Sequence, residues 1–448
     1  MDEREHIATD LVRRLRAAGF ETYLAGGCVR DRLLAREPGD WDVATAAPPE
    51  TVQKLFRRTV AVGARFGVIL VLEGDAQFEV ATFRSDDAYI DGRHPSAVHF
   101  ANAEQDAQRR DFTINALFQD PITGEVIDFV GGRADLEAGV IRAIGDAPAR
   151  IKEDRLRMLR AVRFAARFGY TIDPGTMAAI RAAAPSVTDM AAERIGDEIV
   201  KMLTEGSARR SFELLDETGL LPVVLPEVAA MQGVEQSPDY HPEGDVWTHT
   251  LLLLAQLPAG AVETLALGCL LHDVGKPVTV GRREDGRITF YGHTDRGADM
   301  AVAIVQRMKR SRETWERVDY LVRNHLRLVQ APEMRLSTLK RMLAEDGFDE
   351  LLHLARIDAL ASNGDLQFVR YCERRREELR EAVKPPRLLG GHDLIAMGFE
   401  PGPRIGEMLR ALETAQLEGE VATREQAQQW VRKREEQSPA HTPGRARS

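Results

Sequence analysis

Apolar residues recur at helical spacing through 7–18 (IATDLVRRLRAA), with Gly19 placed to stop the helix. Residues 21–25 read as a short strand that runs into Gly26-Gly27, and 49–57 as a helix with Pro49 in its first turn. A continuous apolar strand at 68–72, a turn at Glu73-Gly74-Asp75 and a second strand at 77–83 follow. From about 146 to 206 the pattern is helical and rich in Ala, Leu and Arg. A helix–turn–helix rhythm continues to Gln236, broken at Gly219, Pro222 and Pro226. A second helical block covers 246–361, and Pro385-Pro386 and Gly390-Gly391 mark a linker before two late helices. The composition of the tail from Ser438 predicts disorder. The predicted class is α+β: a small mixed α/β head (1–146), then a long all-α body divided into a neck (147–236), a histidine-rich domain (237–365), a helical tail (366–437) and a disordered end (438–448).

Composition narrows the field. With 448 residues, 44% of them hydrophobic and 29% charged, the chain is an ordinary multi-domain globular protein. The longest apolar stretch, 251–257, contains Gln256 and stops at Pro258, far short of the ~20 residues that span a bilayer. The charged N-terminus has no apolar h-region, and three scattered cysteines support neither a disulfide framework nor a cysteine-rich zinc site. A cytoplasmic protein without a membrane or an obligate protein partner is expected. The net charge of −10 speaks against a non-specific nucleic-acid coat, yet Arg155, Arg157, Arg160, Arg163 and Arg167 cluster locally, and guanidinium forks suit phosphates and base edges.

The head holds the densest chemistry. Gly26-Gly27-Cys28-Val29-Arg30-Asp31 precedes Asp40-Trp41-Asp42. On a strand, Asp40 and Asp42 would share a face, and two such carboxylates call for a cation; Mg²⁺ takes oxygen ligands and keeps waters for substrate phosphates. The glycine pair would let backbone amides approach a triphosphate, with Arg30 beside it. Glu79, on the strand face opposite Phe78 and Val80, is the candidate third carboxylate of a two-metal arrangement. Taken alone, it also has a bland reading as a solvent-facing edge residue.

On these residues the sequence resembles the polymerase-β-type nucleotidyltransferases, and within them the class II tRNA nucleotidyltransferase (CCA-adding) and bacterial poly(A) polymerase family. Supporting segments are 109–116 (RRDFTINA), Asp128-Phe129 with Gly131-Gly132 and Asp135-Leu136, and 153–164 (EDRLRMLRAVRF). The resemblance spans about 20–230. It implies that Asp40 and Asp42 hold Mg²⁺ while an RNA 3′-hydroxyl attacks the α-phosphate of CTP or ATP and pyrophosphate leaves. It also implies that Arg110 contacts the nucleotide, Asp154 and Arg157 read its base, and Arg160 and Arg163 assist. Asp154, Arg157, Arg160 and Arg163 recur every three residues and drift about 60° per step around a helix, with Leu156, Leu159 and Val162 as a packing stripe. By periodicity alone that stripe is also an i,i+3 salt-bridge face.

In the histidine-rich block, His249, His272-Asp273 and Asp358 follow the order of the HD phosphohydrolase superfamily, with His293 and His325 between them as ligands for a second metal. That donor set suits a transition metal or Mg²⁺. Some members of the nucleotidyltransferase family carry such a domain with phosphatase, 2′-nucleotidase or cyclic phosphodiesterase activity, and in many it is degenerate. His6, His94, His99, His353, His392 and His441 receive no role.

The expected activity is therefore CCA addition to the 3′ end of tRNA from CTP and ATP, with Mg²⁺ in the head and a second divalent metal in the HD block. Alternatives are a poly(A) polymerase, a CC- or A-adding partial enzyme, an HD hydrolase with a non-catalytic head, and a tRNA-binding protein without catalysis. The segment 62–68 (VGARFGV) leans toward tRNA-directed members. The stretch 84–98, with Asp86, Asp87, Tyr89, Asp91, Arg93 and Pro95, resembles the family's loop that switches from C to A.

Overall fold

A computed structural model describes residues 3–63, 67–86, 98–238, 241–379 and 386–437. The expectations placed on Ala64, Arg65 and Phe66, on Asp87, Tyr89, Asp91, Arg93 and Pro95, and on the tail from Ser438 lie outside the described residues.

The head is a seven-stranded sheet. Helix α1 (Glu3–Ala17) lays Ala8, Leu11, Val12 and Leu15 against it, one face of a 3.6-residue period. Strand β1 (Thr22–Ala25) turns at Gly26 into helix α2 (Gly27–Leu33), and β2 (Asp42–Thr45), helix α3 (Pro49–Leu55), β3 (Thr59–Gly63), β4 (Val68–Glu73) and β5 (Ala76–Thr82) follow. The sheet order is β3-β4-β5-β2-β1, continued by the two-residue strands Phe118–Gln119 and Val126–Ile127. Strand β2 runs antiparallel to β1 and parallel to β5, and the pairing of Val43 with Val80 sets Asp42 beside Glu79. Leu24, Val43, Ile69, Phe78 and Val80 fill the core on the α1 side. A smaller cluster with Ala25, Ala44, Phe83 and Phe118 covers the other face.

The neck is not one uninterrupted helical run. Helix Ala147–Glu153 stops at Asp154, and helix Leu156–Phe168, labelled the reader helix after the role the family resemblance implies for it, ends at Gly169 in a left-handed conformation. Thr171–Ile172 then pairs in parallel with Val140–Ile141 of the head. Two residues of strand are too short for a periodicity signal, so this stitch is invisible in the pattern. The reader helix is also more enclosed than a one-sided stripe implies, burying Arg157 and Arg163 with its apolar residues because head, helix Ala192–Thr204 and helix Ala208–Glu217 all pack on it.

The histidine-rich block is helical as predicted, from Val246–Ala255 to Phe348–Ala361, with a small hairpin of Gly281–Arg282 and Ile288–Thr289 inserted. Helix Gln367–Glu378, grouped with the tail in the sequence reading, places Val369 and Cys372 in the main core. The segment from Leu389 to Val431 builds a separate core around Leu394, Met408 and Leu412. It docks through Lys340 Nζ, which donates to the Leu417 carbonyl at 2.7 Å, and the Ser337 amide, which donates to Glu418 at 2.9 Å. No described helix is long and apolar enough to cross a membrane.

Candidate active site

A cleft of ≈ 590 Å³ between sheet and reader helix is lined by Gly26, Gly27, Arg30, Asp40, Asp42 and Glu79 from the head's first strands and loops. Arg110 lines it from the Arg-Arg-Asp segment, and Asp154, Arg157 and Arg160 line it from the neck. Residues up to 139 positions apart in the chain thus share one space (Phe164 against Ala25). Arg163 is not among them. Its Nε donates to Glu198 at 2.7 Å and its Nη1 lies 3.1 Å from Glu205, all within the packed back of the reader helix.

The carboxylates are not equivalent. Asp42 opens β2, but Asp40 precedes the strand rather than sharing its face, because the β1–β2 ladder ends at the Ala25–Asp42 pair where Gly26 turns the chain. The Asp40 side chain is 90% exposed and its nearest cation is Arg4 at 4.0 Å. Burial, then the Glu79 charge, then that of Asp40 push the Asp42 carboxyl up to about 6, against a partial opposing effect of Arg110. A buried acid held up by two neighbouring acids is the condition that a hard divalent cation relieves, and the oxygen-only donor set fits Mg²⁺.

Gly26 has φ +74°, and a Cβ there would sit 2.9 Å from Arg110 Nη1. The glycine therefore makes room for the protein's own guanidinium. Its amide donates to the Leu117 carbonyl, so it is not a phosphate ligand; the amides opening α2 at Gly27 and Cys28 have no intrahelical acceptor. Arg30 lies buried over the Phe168 ring, 4.6 Å from its centroid, and donates to Asp31 at 2.8 Å and to Asn115 at 2.5 Å. It lines the cleft as a framework residue rather than as an exposed phosphate hook.

The other arginines are aimed by acids. Asp106 takes hydrogen bonds from Arg109 at 2.8 Å and from Arg110 at 3.0 Å. Burial on its own raises the Asp111 carboxyl, but Arg160, Asn115 and the Phe112 amide hold it at about 2, so the Arg160–Asp111 pair (2.6 Å) is ionised. Arg157 donates to Glu153 at 2.8 Å, to the Arg150 carbonyl at 2.7 Å and to the Arg109 carbonyl at 3.2 Å. Asp154 is gripped by Arg194, with Nη2 at 3.1 Å.

In the second domain, four imidazoles converge on two carboxylates. His249 Nε2 is 3.1 Å from Asp358 and 4.0 Å from Asp273, and the Nε2 atoms of His272, His293 and His325 lie 3.1, 3.6 and 3.8 Å from Asp273. The Nδ1 atoms of His272, His293 and His325 each meet a backbone carbonyl, those of Cys269, Phe290 and Val322. That contact fixes the tautomer and turns Nε2 inward, as in metal sites. His249 Nδ1 instead lies 2.6 Å from Glu243. Among the described residues, Nε2 of His272 and His293 and Oδ1 of Asp273 are buried without a hydrogen-bond partner, which is the signature of a site built for an ion. Burial alone lowers His249, but Asp358 and Glu243 lift it to about 9, whereas burial and His272 depress His325 to about 4. Lys276 Nζ also reaches Asp273, at 2.7 Å.

Comparison with known proteins gives the domain type in which each cluster lies. Residues 22–142 match the Poly A polymerase head domain, 169–232 the probable RNA and SrmB-binding site of polymerase A, and 245–362 the HD domain. The CCA-adding enzyme of Latilactobacillus sakei subsp. sakei is 32% identical over 413 residues, covering 91% of this chain and 92% of that one. The chain belongs to the CCA-adding enzyme family. The CCA-adding enzyme of Levilactobacillus brevis is likewise 32% identical, over 94% of this chain and 96% of its own. The crystal structure of the Bacillus stearothermophilus CCA-adding enzyme in complex with CTP superposes with a TM-score of 0.75 at 26% identity, covering 98% of this chain and 99% of that one.

Like the other CCA-adding enzymes, this chain is therefore a nucleotidyltransferase with an α+β head and a helical body. Sequence reading missed Asp106, Glu153 and Arg194 as partners of the cleft's charged groups. Asp106 was findable, since it stands three and four residues before Arg109 and Arg110 on a capped helix. Arg194, forty residues from Asp154, left no local signal.

Proposed function

We propose that this chain adds C, C and A to the 3′ end of tRNA, using CTP and ATP and releasing pyrophosphate. One observation carries the reading: Asp40, Asp42 and Glu79 line the same cleft as Asp154 and Arg157, so one bound nucleotide can reach carboxylates with its triphosphate and base-reading groups with its base. Asp40 and Asp42, with Glu79 alongside, would hold Mg²⁺, which when bound neutralises phosphate charge and acts as a Lewis acid. Arg110 and Arg160, aimed by Asp106 and Asp111, supply fixed donors to the nucleotide, and fixed donors stabilise developing charge without reorganising. Arg163 we assign to holding the reader helix. RNA enters from the arginine-lined side, because the larger cleft of ≈ 1240 Å³ that shares these carboxylates adds Glu3, Asp10, Glu73 and Asp75 against Arg4 and His6, and the excess of acids repels a polyanion. The natural setting is the cytoplasm, with no membrane and no obligate protein partner.

The HD block favours a second, separate function. The partnerless imidazole and carboxylate atoms around Asp273 support binding of a divalent metal by His249, His272, Asp273 and Asp358, and phosphoester hydrolysis there.

The test is incubation of purified protein with Mg²⁺ and a tRNA lacking its last three nucleotides, with products resolved to single nucleotides. CTP alone should give two additions, and CTP with ATP three. Long A-tracts from ATP would make it a poly(A) polymerase. Two additions with both would make it a CC-adding enzyme, and no incorporation would leave only the HD block as catalyst.

A further inference from the structure

Asp154 sits between two helices with extended backbone (φ −143°, ψ 104°), so its side chain leaves the helical track and reaches the cleft. Arg194, in the first turn of Ala192–Thr204, lays its guanidinium along that carboxylate, with Nη2 3.1 Å from Oδ2 and Nη1 3.4 Å from Oδ1. The Leu156 amide adds a third donor, at 3.1 Å from Oδ1. An ionised carboxylate offers about two acceptor sites on each oxygen. Oδ1 is thus filled by Arg194 and Leu156, and Oδ2 keeps one site beyond the one Arg194 occupies.

We infer that Arg194 is a specificity-determining positioning residue: by holding both oxygens of Asp154 it leaves a single, fixed acceptor pointing at the incoming base. A fixed acceptor selects a base with an amino group on its edge. Cytosine has N4–H₂ and adenine N6–H₂. Uracil and guanine present O4 and O6 there, which set lone pairs against lone pairs. Arg157 carries only donors and can offer nothing to the amino groups of cytosine and adenine, so reading them falls to the Asp154 acceptor. Helix Ala192–Thr204 reinforces the clamp: Glu198, one turn beyond Arg194, holds Arg163 of the reader helix at 2.7 Å. Two ion pairs of opposite polarity thereby tie the same two segments together. Without Arg194, Asp154 keeps only the Leu156 amide, its carboxylate turns freely, and the penalty against a misplaced carbonyl is lost.

This inference rests on the CCA-adding reading, and its test separates the two. Incorporation of CTP and UTP is measured on a tRNA lacking its last three nucleotides, and of ATP and GTP on a tRNA ending in CC, for the unaltered protein and for Arg194→Gln. The kcat/KM for CTP and ATP should fall about tenfold while that for UTP and GTP stays within about twofold, because only the pre-positioned contact is lost. Arg194→Lys, which keeps the charge with a single-point donor, should recover part of the discrimination, and it serves as the main variant if Arg194→Gln fails to fold. Glu198→Gln should lower the melting temperature without narrowing discrimination. An equal loss for all four nucleotides, or the same narrowing in Glu198→Gln, would make Arg194 merely structural and overturn the inference. Normal C and A addition with unchanged discrimination in the Arg194 variants overturns it alone. No C or A addition by the unaltered protein overturns the proposed function and this inference together.

Discussion

The head cleft and the histidine cluster both gather carboxylates, but they treat them in opposite ways. In the head, Asp40 is nearly free in solvent, Glu79 is exposed, and only Asp42 is recessed. In the second domain, Asp273 is enclosed by His272, His293, His325 and Lys276, and the three imidazoles are each pinned through Nδ1 to a backbone carbonyl. With the proposed Mg²⁺, the first would be an incomplete coordination sphere that a substrate's phosphate oxygens can finish. The second would be a nearly complete cage, its imidazole Nε2 atoms already turned inward. Open carboxylate sites suit a hard ion that arrives with its substrate, and closed imidazole sites suit an ion that stays.

The sharpest way to break this contrast is Asp42→Ala. It should lower CTP incorporation by at least about a thousandfold in the single-nucleotide assay, since charge stabilisation at the reacting phosphate is lost. Metal bound by the second domain, counted by elemental analysis, should not change. Next in size is Arg163→Ala, which strands Glu198 in the core and should cost about 3–5 kcal/mol by denaturant titration. A raised KM for CTP at unchanged stability would instead return Arg163 to the nucleotide site. His272→Ala should weaken Mn²⁺ binding to the second domain by about a hundredfold in calorimetric titration, while C and A addition by the head continues.

The smallest expected effect is a pH dependence. The Asp42 carboxyl stands near 6 in the fold, above its ordinary 3.8, so the folded state takes up that proton more readily than the unfolded chain. Its contribution to stability is therefore greatest at low pH, declines as pH rises from about 4, and is a full penalty above about 6. Mg²⁺ held there as proposed would remove the penalty by occupying the ionised form. The Mg²⁺-induced rise in melting temperature should be larger at pH 7.5 than at pH 5 by roughly 2–4 °C, and Asp42→Asn should erase the difference.

Much of the cleft was legible because its parts are local in sequence. Gly26-Gly27 with Asp40 and Asp42, the alternation around Glu79, and the Arg-Arg-Asp segment each carry their signal within about fifteen residues, and the structure brings these to one space. The His249, His272-Asp273 and Asp358 set was legible from the order of its residue types along 109 positions rather than from proximity. Periodicity failed where contacts are long-range or elements short. It placed Asp40 on the strand, whose start is set by where β1 ends rather than by residues 40–42. It set Arg163 on the same stripe as Arg160, although about 60° per step is enough to turn it from the cleft to Glu198. It assigned helix Gln367–Glu378 to the tail, because nothing in its own pattern says which core Val369 and Cys372 join.

The parallel pair of Val140–Ile141 with Thr171–Ile172 has a consequence for fidelity. That stitch closes residues 142–170 into a loop that contains the reader helix, so the segment proposed to inspect the base is anchored to the head at both of its ends. With the roles proposed above, inspection and chemistry are mounted on one frame, and the gauge that measures the base would not have to be rebuilt after each addition. An enzyme of this design keeps its calibration between turnovers, and errors should scale with thermal play in individual side chains rather than with how completely two domains close.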